Sequence, residues 1–166
     1  NQSSKAANGI DLRVLFFDTD GVLLGTSTDR SNLWAKQTTT VGGSFLGEGQ
    51  ATRIDVRIVG TPTFTDVSTE LFPTVSDVQI VRERFSGSVN GKVTSPWNKD
   101  VEQLELTCLL RDDAGTLVAV ETTWLDLLPS AATAVGSCSY VSTDILAQAT
   151  TAEMYVSWGV LTDTVE

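Results

Sequence analysis

The chain has 166 residues, a net charge of −10 and no histidine. Its length allows one domain or two small ones. The charge disfavours nucleic acid and anionic lipid as partners, and the missing histidine removes Ser-His-Asp and Cys-His catalysis and most zinc sites. Hydrophobic residues make up 41%, enough for a core, yet no run approaches the roughly 18 apolar residues of a membrane span.

Threonine and valine supply about a quarter of the chain, and β-branched side chains pack well on a pleated surface. The predicted class is all-β. Strands are expected over 10–17, 22–33, 38–45 and 53–59. The first two are joined by Asp18-Thr19-Asp20-Gly21. There Asp18 can bond the backbone ahead of it and Gly21 can take the left-handed conformation, so D-x-x-G reads as a type I turn with a bulge. In 53–59, Ile54, Val56 and Ile58 alternate with Asp55 and Arg57, the period of a half-buried strand. The stretch 60–76, with Pro62, Pro73 and five threonines, reads as a linker. A long strand over 78–93 follows, then 104–111, the Asp112–Gly115 turn, 116–128, 133–140 and 153–158. Helical spacing is confined to a turn or two within 143–154.

The chain repeats itself. Residues 10–45 lie without gaps over 104–139, with ten identities that fall on strand and turn positions, among them Asp18/Asp112 and Gly21/Gly115. The register resumes at an offset of 100, with Ile54 over Met154 and Val56 over Val156. Two tandem units follow: a first repeat over 1–60, a linker over 61–76 and a second repeat over 77–166. The strand 78–93 leads the second unit and has no counterpart in the first. Short strands and frequent turns suggest antiparallel sandwiches.

These residues resemble the FxLYD family of immunoglobulin-like domains. Asn1–Ser4 is similar to the family's Asn-x-Ser stretch, Phe17-Asp18 to its Tyr-Asp, Asp20-Gly21-Val22 to its turn, and Phe45 to its late aromatic. In the second unit Asp112, Gly115 and Leu128-Pro129 match, while Arg111 stands in place of the aromatic. The resemblance implies two tandem immunoglobulin-like sandwiches, the first lacking its leading strand, on a bacterial surface or secreted protein. It carries no catalytic residue.

Three alternatives compete. LFFDTDGVLLGTS is similar to the first motif of haloacid-dehalogenase-type phosphatases, with Asp18 as nucleophile, Asp20 as general acid and Mg²⁺ between them. Against it, the repeat turns Asp20 into Ala114 while keeping the turn residues. A partial Ca²⁺ site at Asp18 and Asp20 lacks the EF-hand spacing. The four tryptophans Trp34, Trp97, Trp124 and Trp158 raise a carbohydrate-binding face, against packing in the core or at the rim. Cys108 and Cys138 either bridge, as in an oxidising compartment, or stay buried as small apolar thiols. Asn1-Gln2-Ser3 has the form of a glycosylation sequon.

The expected function is a non-enzymatic extracellular or cell-envelope module, a spacer or recognition scaffold for a protein or glycan, with no cofactor and no metal. The missing leading strand leaves a sheet edge in the first unit, predicted to pair with the tail 160–165 or with a neighbouring chain as a strand-mediated homo-oligomer.

Overall fold

β-branched, leucine and phenylalanine residues at every second position make β1 (Ala6–Phe17) the middle strand of the first unit. Leu12, Val14 and Phe16 are buried, whereas Arg13, Leu15 and Phe17 on the opposite face are not. The computed structural model describes residues 1–40, 47–65, 72–140 and 142–158. These divide into two compact units, Asn1–Ser68 and Thr69–Glu166.

In the first unit β2 (Leu23–Leu33) runs antiparallel along one side of β1. β3 (Arg53–Val59) runs along the other, with Leu12 opposite Ile58, Val14 opposite Val56 and Phe16 opposite Ile54. β4 (Thr63–Thr65) continues the same edge opposite Ala6–Asn8. The two pieces are separated around Gly60, whose φ of 82° favours glycine. Residues Thr63–Thr65, expected in the linker, thus complete the first unit's sheet. Ahead of β1 the chain is tied to the turn after β2. The Asn1 side-chain amide donates to the carbonyls of Lys5 and Trp34, and the Lys36 N–H donates to the Ser3 carbonyl. Of the predicted strand 38–45, Thr38–Thr40 are not in a strand; the remainder, with Phe45, lies outside the described residues.

In the second unit β5 (Thr74–Arg82) and β6 (Gly87–Thr94) form a hairpin. This corrects the single strand expected over 78–93. The apolar alternation runs through both arms, but Glu83–Ser86 close a turn in which the Glu83 N–H donates to the Ser86 carbonyl. After it come β7 (Val101–Arg111), β8 (Leu117–Leu128) and β9 (Thr133–Tyr140). The six-residue helix α1 (Thr143–Gln148) is capped by Ser142, and β10 (Thr151–Trp158) ends the described chain. The unit has two antiparallel sheets, ordered β5-β6-β9 and β10-β7-β8. Leu104, Leu106, Cys108, Leu110, Met154 and Val156 line one inner face, and Val89, Val93, Cys138 and Tyr140 the other; all are buried. Glycines let the faces approach: a Cβ on Gly136 would sit 2.5 Å from Leu106 Cδ1, and one on Gly91 2.9 Å from Met154 Sδ.

The repeat has a structural counterpart within each unit. Arg13 pairs with Thr28 and Thr107 with Thr122, and both hairpins carry a register shift just before the turn. The last strand differs. Phe16 faces Ile54 and Leu110 faces Ala152, so sheet register sets these strands 98 positions apart rather than 100. The alternation has period two, so sequence alone could not separate registers two residues apart. Among the described residues no helix is long and apolar enough to cross a membrane.

Candidate functional site

The acidic loops are built alike. Asp18 Oδ1 accepts hydrogen bonds from the N–H groups of Asp20 (2.9 Å) and Val22 (2.8 Å). The Gly21 N–H donates to the Asp18 carbonyl, and the Asp18 N–H to the Val22 carbonyl. Asp112 Oδ1 accepts from Ala114 (3.0 Å) and Thr116 (2.8 Å), with the same two backbone bonds through Gly115 and Thr116. Gly21 and Gly115 both have φ of 79°. Position 20 contributes only its N–H, which Ala114 supplies equally well. The loop joins antiparallel strands, so Asp18 closes a hairpin and does not open a crossover helix. Among the described residues no group of three or more His, Cys, Asp or Glu side chains is placed to hold a metal ion.

Cys108 on β7 and Cys138 on β9 are joined by a disulfide, with Cα atoms 6.3 Å apart. β6 and β9 keep their register through Gly136, so Cys138 points inward. The Tyr140 hydroxyl donates to the Cys108 carbonyl at 3.0 Å. Burial, reinforced by the charge of Glu121, holds the Tyr140 phenol far above its usual pKa.

The three tryptophans whose side chains are described do not form an open face. Trp34 and Trp97 are buried, and Trp124 is 49% exposed; the side chain of Trp158 lies outside the described set. The Asn1 amide of the sequon is held by two backbone carbonyls and accepts from the Ser3 N–H. At the surface, Arg30 pairs with Asp11 at 2.7 Å and holds that carboxyl below its usual pKa. A shallow depression beside the bulge of β5 is lined by Asp77, Gln79, Asn90 and Lys92, where Lys92 and Asp77 pair at 2.7 Å. In the second unit Arg111, which stands where the first has Phe17, bonds Glu153 at 2.9 Å. The Tyr155 hydroxyl and Arg111 together hold the Glu153 carboxyl below its usual pKa.

What remains is β3. Its alternation predicts a face turned into a core, yet Ile54 is 58% exposed, Val56 54% and Ile58 63%. They share a face with buried Leu12, Val14 and Phe16 but lie one strand further out, at the sheet edge. Among the described residues no strand pairs with the outer side of β3. The other face carries charge: Asp55 lies 3.7 Å from Arg53 and 3.9 Å from Arg57, and the Arg53 guanidinium stacks 4.1 Å from the Phe17 ring centroid. The tail 160–165, expected to cover such an edge, lies outside the described residues.

No family model, curated protein or solved structure matches this chain. The candidate site is therefore defined by its geometry alone, a strand whose outer side has no partner among the described residues, with one apolar and one charged face. Such an edge can accept another strand through its free N–H and C=O groups, with the exposed side chains choosing the partner. The sequence reading expected an edge left by a missing leading strand; among the described residues the strand without an outer partner is β3. Nothing in the seven residues of β3 distinguishes an edge strand from an inner one.

Proposed function

We propose that this chain is a non-enzymatic, immunoglobulin-like β-sandwich module of a surface or secreted protein, acting as a spacer or protein-recognition scaffold. The observation that carries this reading is the buried Cys108–Cys138 bond between the two sheets of the second unit. Structural disulfides of this kind persist in oxidising compartments and stiffen small extracellular domains. The resemblance to FxLYD domains supports a bacterial cell-envelope setting. The exposed apolar stripe of β3 favours a protein partner over a sugar, and the stacking face that the tryptophans could have offered a glycan is not formed by Trp34 and Trp97, which are buried. The phosphatase reading loses its footing in the turn, where Asp18 commits one carboxylate oxygen to two backbone N–H groups.

The test is a paired screen of the purified, oxidised protein. Immobilised on a biosensor, it is exposed to cell-envelope proteins and, separately, to a glycan array; phosphate-ester turnover is followed with Mg²⁺. The expected result is saturable protein capture, a blank array and no turnover. Glycan binding lost in Trp124→Ala makes the protein a carbohydrate-binding module, and Mg²⁺-dependent turnover lost in Asp18→Asn makes it an enzyme.

A further inference from the structure

β3 is complementary to itself. In its sequence, Arg53-Ile54-Asp55-Val56-Arg57-Ile58-Val59, the aliphatic Ile54 and Ile58 are symmetric about Val56, whereas Asp55 and Arg57 carry opposite charge at equal distance from it. If a second β3 is laid antiparallel beside it about an axis through Val56, Asp55 falls opposite Arg57 of the other copy, and Arg57 opposite its Asp55. On the other face Ile54 falls opposite Ile58, and Val56 meets its own copy. Directly opposed residues in antiparallel strands have Cβ atoms about 4.5–5.5 Å apart, close enough for ion pairs and aliphatic contact. A shift of one residue would set Val56 opposite Arg57 or Asp55 and mix the two faces.

We propose that two copies of this chain associate through β3, edge to edge and antiparallel, continuing the first unit's sheet across a two-fold axis at Val56. Three observations converge on a second copy as the occupant. The outer side of β3 has no described partner strand. The three aliphatic side chains that would meet across the axis are each more than half exposed. Around Val56 the charged face sets Asp55 against Arg57 in both directions; the register about Ile54 would pair Asp55 with Arg53 instead but overlaps only three residues of β3, and Asp55 has only loose contacts, at 3.7 and 3.9 Å, within its own strand. The proposal names a partner for the recognition reading and rests on it. The two fail separately, because a monomeric protein leaves the biosensor screen to decide recognition.

The experiment is sedimentation equilibrium of the oxidised chain up to about 1 mM, where even weak association registers, with amide exchange of β3 recorded in parallel. Wild type is expected to approach twice the monomer mass with rising concentration as the β3 amides that point away from β1 become protected. Arg57→Asp, which sets carboxylates against each other on both sides of the axis, should weaken association at least tenfold. Asp55→Arg combined with Arg57→Asp should restore it, and that rescue separates pairing from misfolding. Val56→Lys, an exposed substitution, should give a monomer with an unchanged circular-dichroism spectrum. A wild-type monomer throughout the range overturns the proposal. So does protection, in the monomer, of the β3 amides that point away from β1, which would place a segment of the same chain on the edge, and so does an Arg57→Asp variant that associates as wild type does.

Discussion

Asp18 shows how one side chain can look chemical and act structurally. Its carboxylate replaces backbone partners that the tight turn cannot supply, and such Asx contacts stabilise a loop by roughly 1 kcal/mol. Asp18→Ala is therefore expected to lower the unfolding free energy read from urea denaturation by about that amount, and Asp112→Ala likewise. Asp20→Ala, which only makes the first loop like the second, should stay within about 0.5 kcal/mol of wild type. Equal losses at positions 18 and 20 would refute this account of the turn. Tyr140 is the residue through which pH reaches the core. Its phenol is held neutral by burial and by Glu121, so its folded pKa lies above the usual value of about 10. The stability it contributes is fully present below pH 10 or so and is lost as pH rises through the folded value. An alkaline titration followed by phenolate absorbance should show Tyr140 ionising together with unfolding. In Tyr140→Phe that coupling should vanish, at a cost of about 1 kcal/mol at neutral pH for the lost bond to Cys108.

At the scale of elements, small residues decide where strands can approach. Gly87 sits at the start of β6 with room for nothing larger, since a Cβ there would lie 2.5 Å from the Val81 carbonyl and 2.6 Å from Leu146 Cδ1. Backbone cannot yield as a side-chain tip can. Gly87→Ala is expected to cost about 1–3 kcal/mol by overpacking, and Gly91→Ala less, because the Met154 thioether it meets is flexible. Thermal denaturation of the two variants side by side checks the order. The same region explains Arg82, whose guanidinium donates to the carbonyls of Leu146 and Ala149 and so closes the C-terminal end of α1. Arg111 and Glu153 tie β7 to β10. Because the Tyr155 hydroxyl and then Arg111 depress the Glu153 pKa, the stability these contacts contribute is present above the usual carboxylate range and lost as pH falls through the folded value. With both side chains about a third exposed or more, it amounts to less than about 1 kcal/mol. Glu153→Gln should accordingly flatten the acid limb of the stability curve slightly.

For the molecule as a whole, the disulfide is the main covalent constraint on the described chain. It closes a loop of 30 residues, which in the chain-entropy account stabilises the second unit by about 3.6 kcal/mol. Reduction, or Cys108→Ala with Cys138→Ala, should lower the denaturant midpoint of that unit by a corresponding amount while leaving the far-ultraviolet spectrum of the folded state largely strand-like. A reduced protein with an unchanged midpoint would show that the packed sheets alone suffice, and would remove the argument for an oxidising compartment.

The sequence by itself determined the all-β class, the two hairpins and their turns. These are local properties, written in residue type and in a period of two over a few neighbours, and a loop such as D-x-x-G closes whatever surrounds it. It also placed Cys108 on a core-facing alternation, because Leu104, Leu106 and Leu110 share its parity. Only the tertiary structure decided whether an alternating strand lies inside or at an edge. The pattern of Ile54, Val56 and Ile58 matches that of Met154 and Val156, yet Met154 and Val156 face a second sheet and the β3 residues remain exposed. It likewise decided that Trp97, following a proline in an apparent loop, is buried, and that 78–93 folds back on itself at Glu83–Ser86. Burial depends on what distant segments bring against a face, and a strand's own residues record which faces it has but not what covers them.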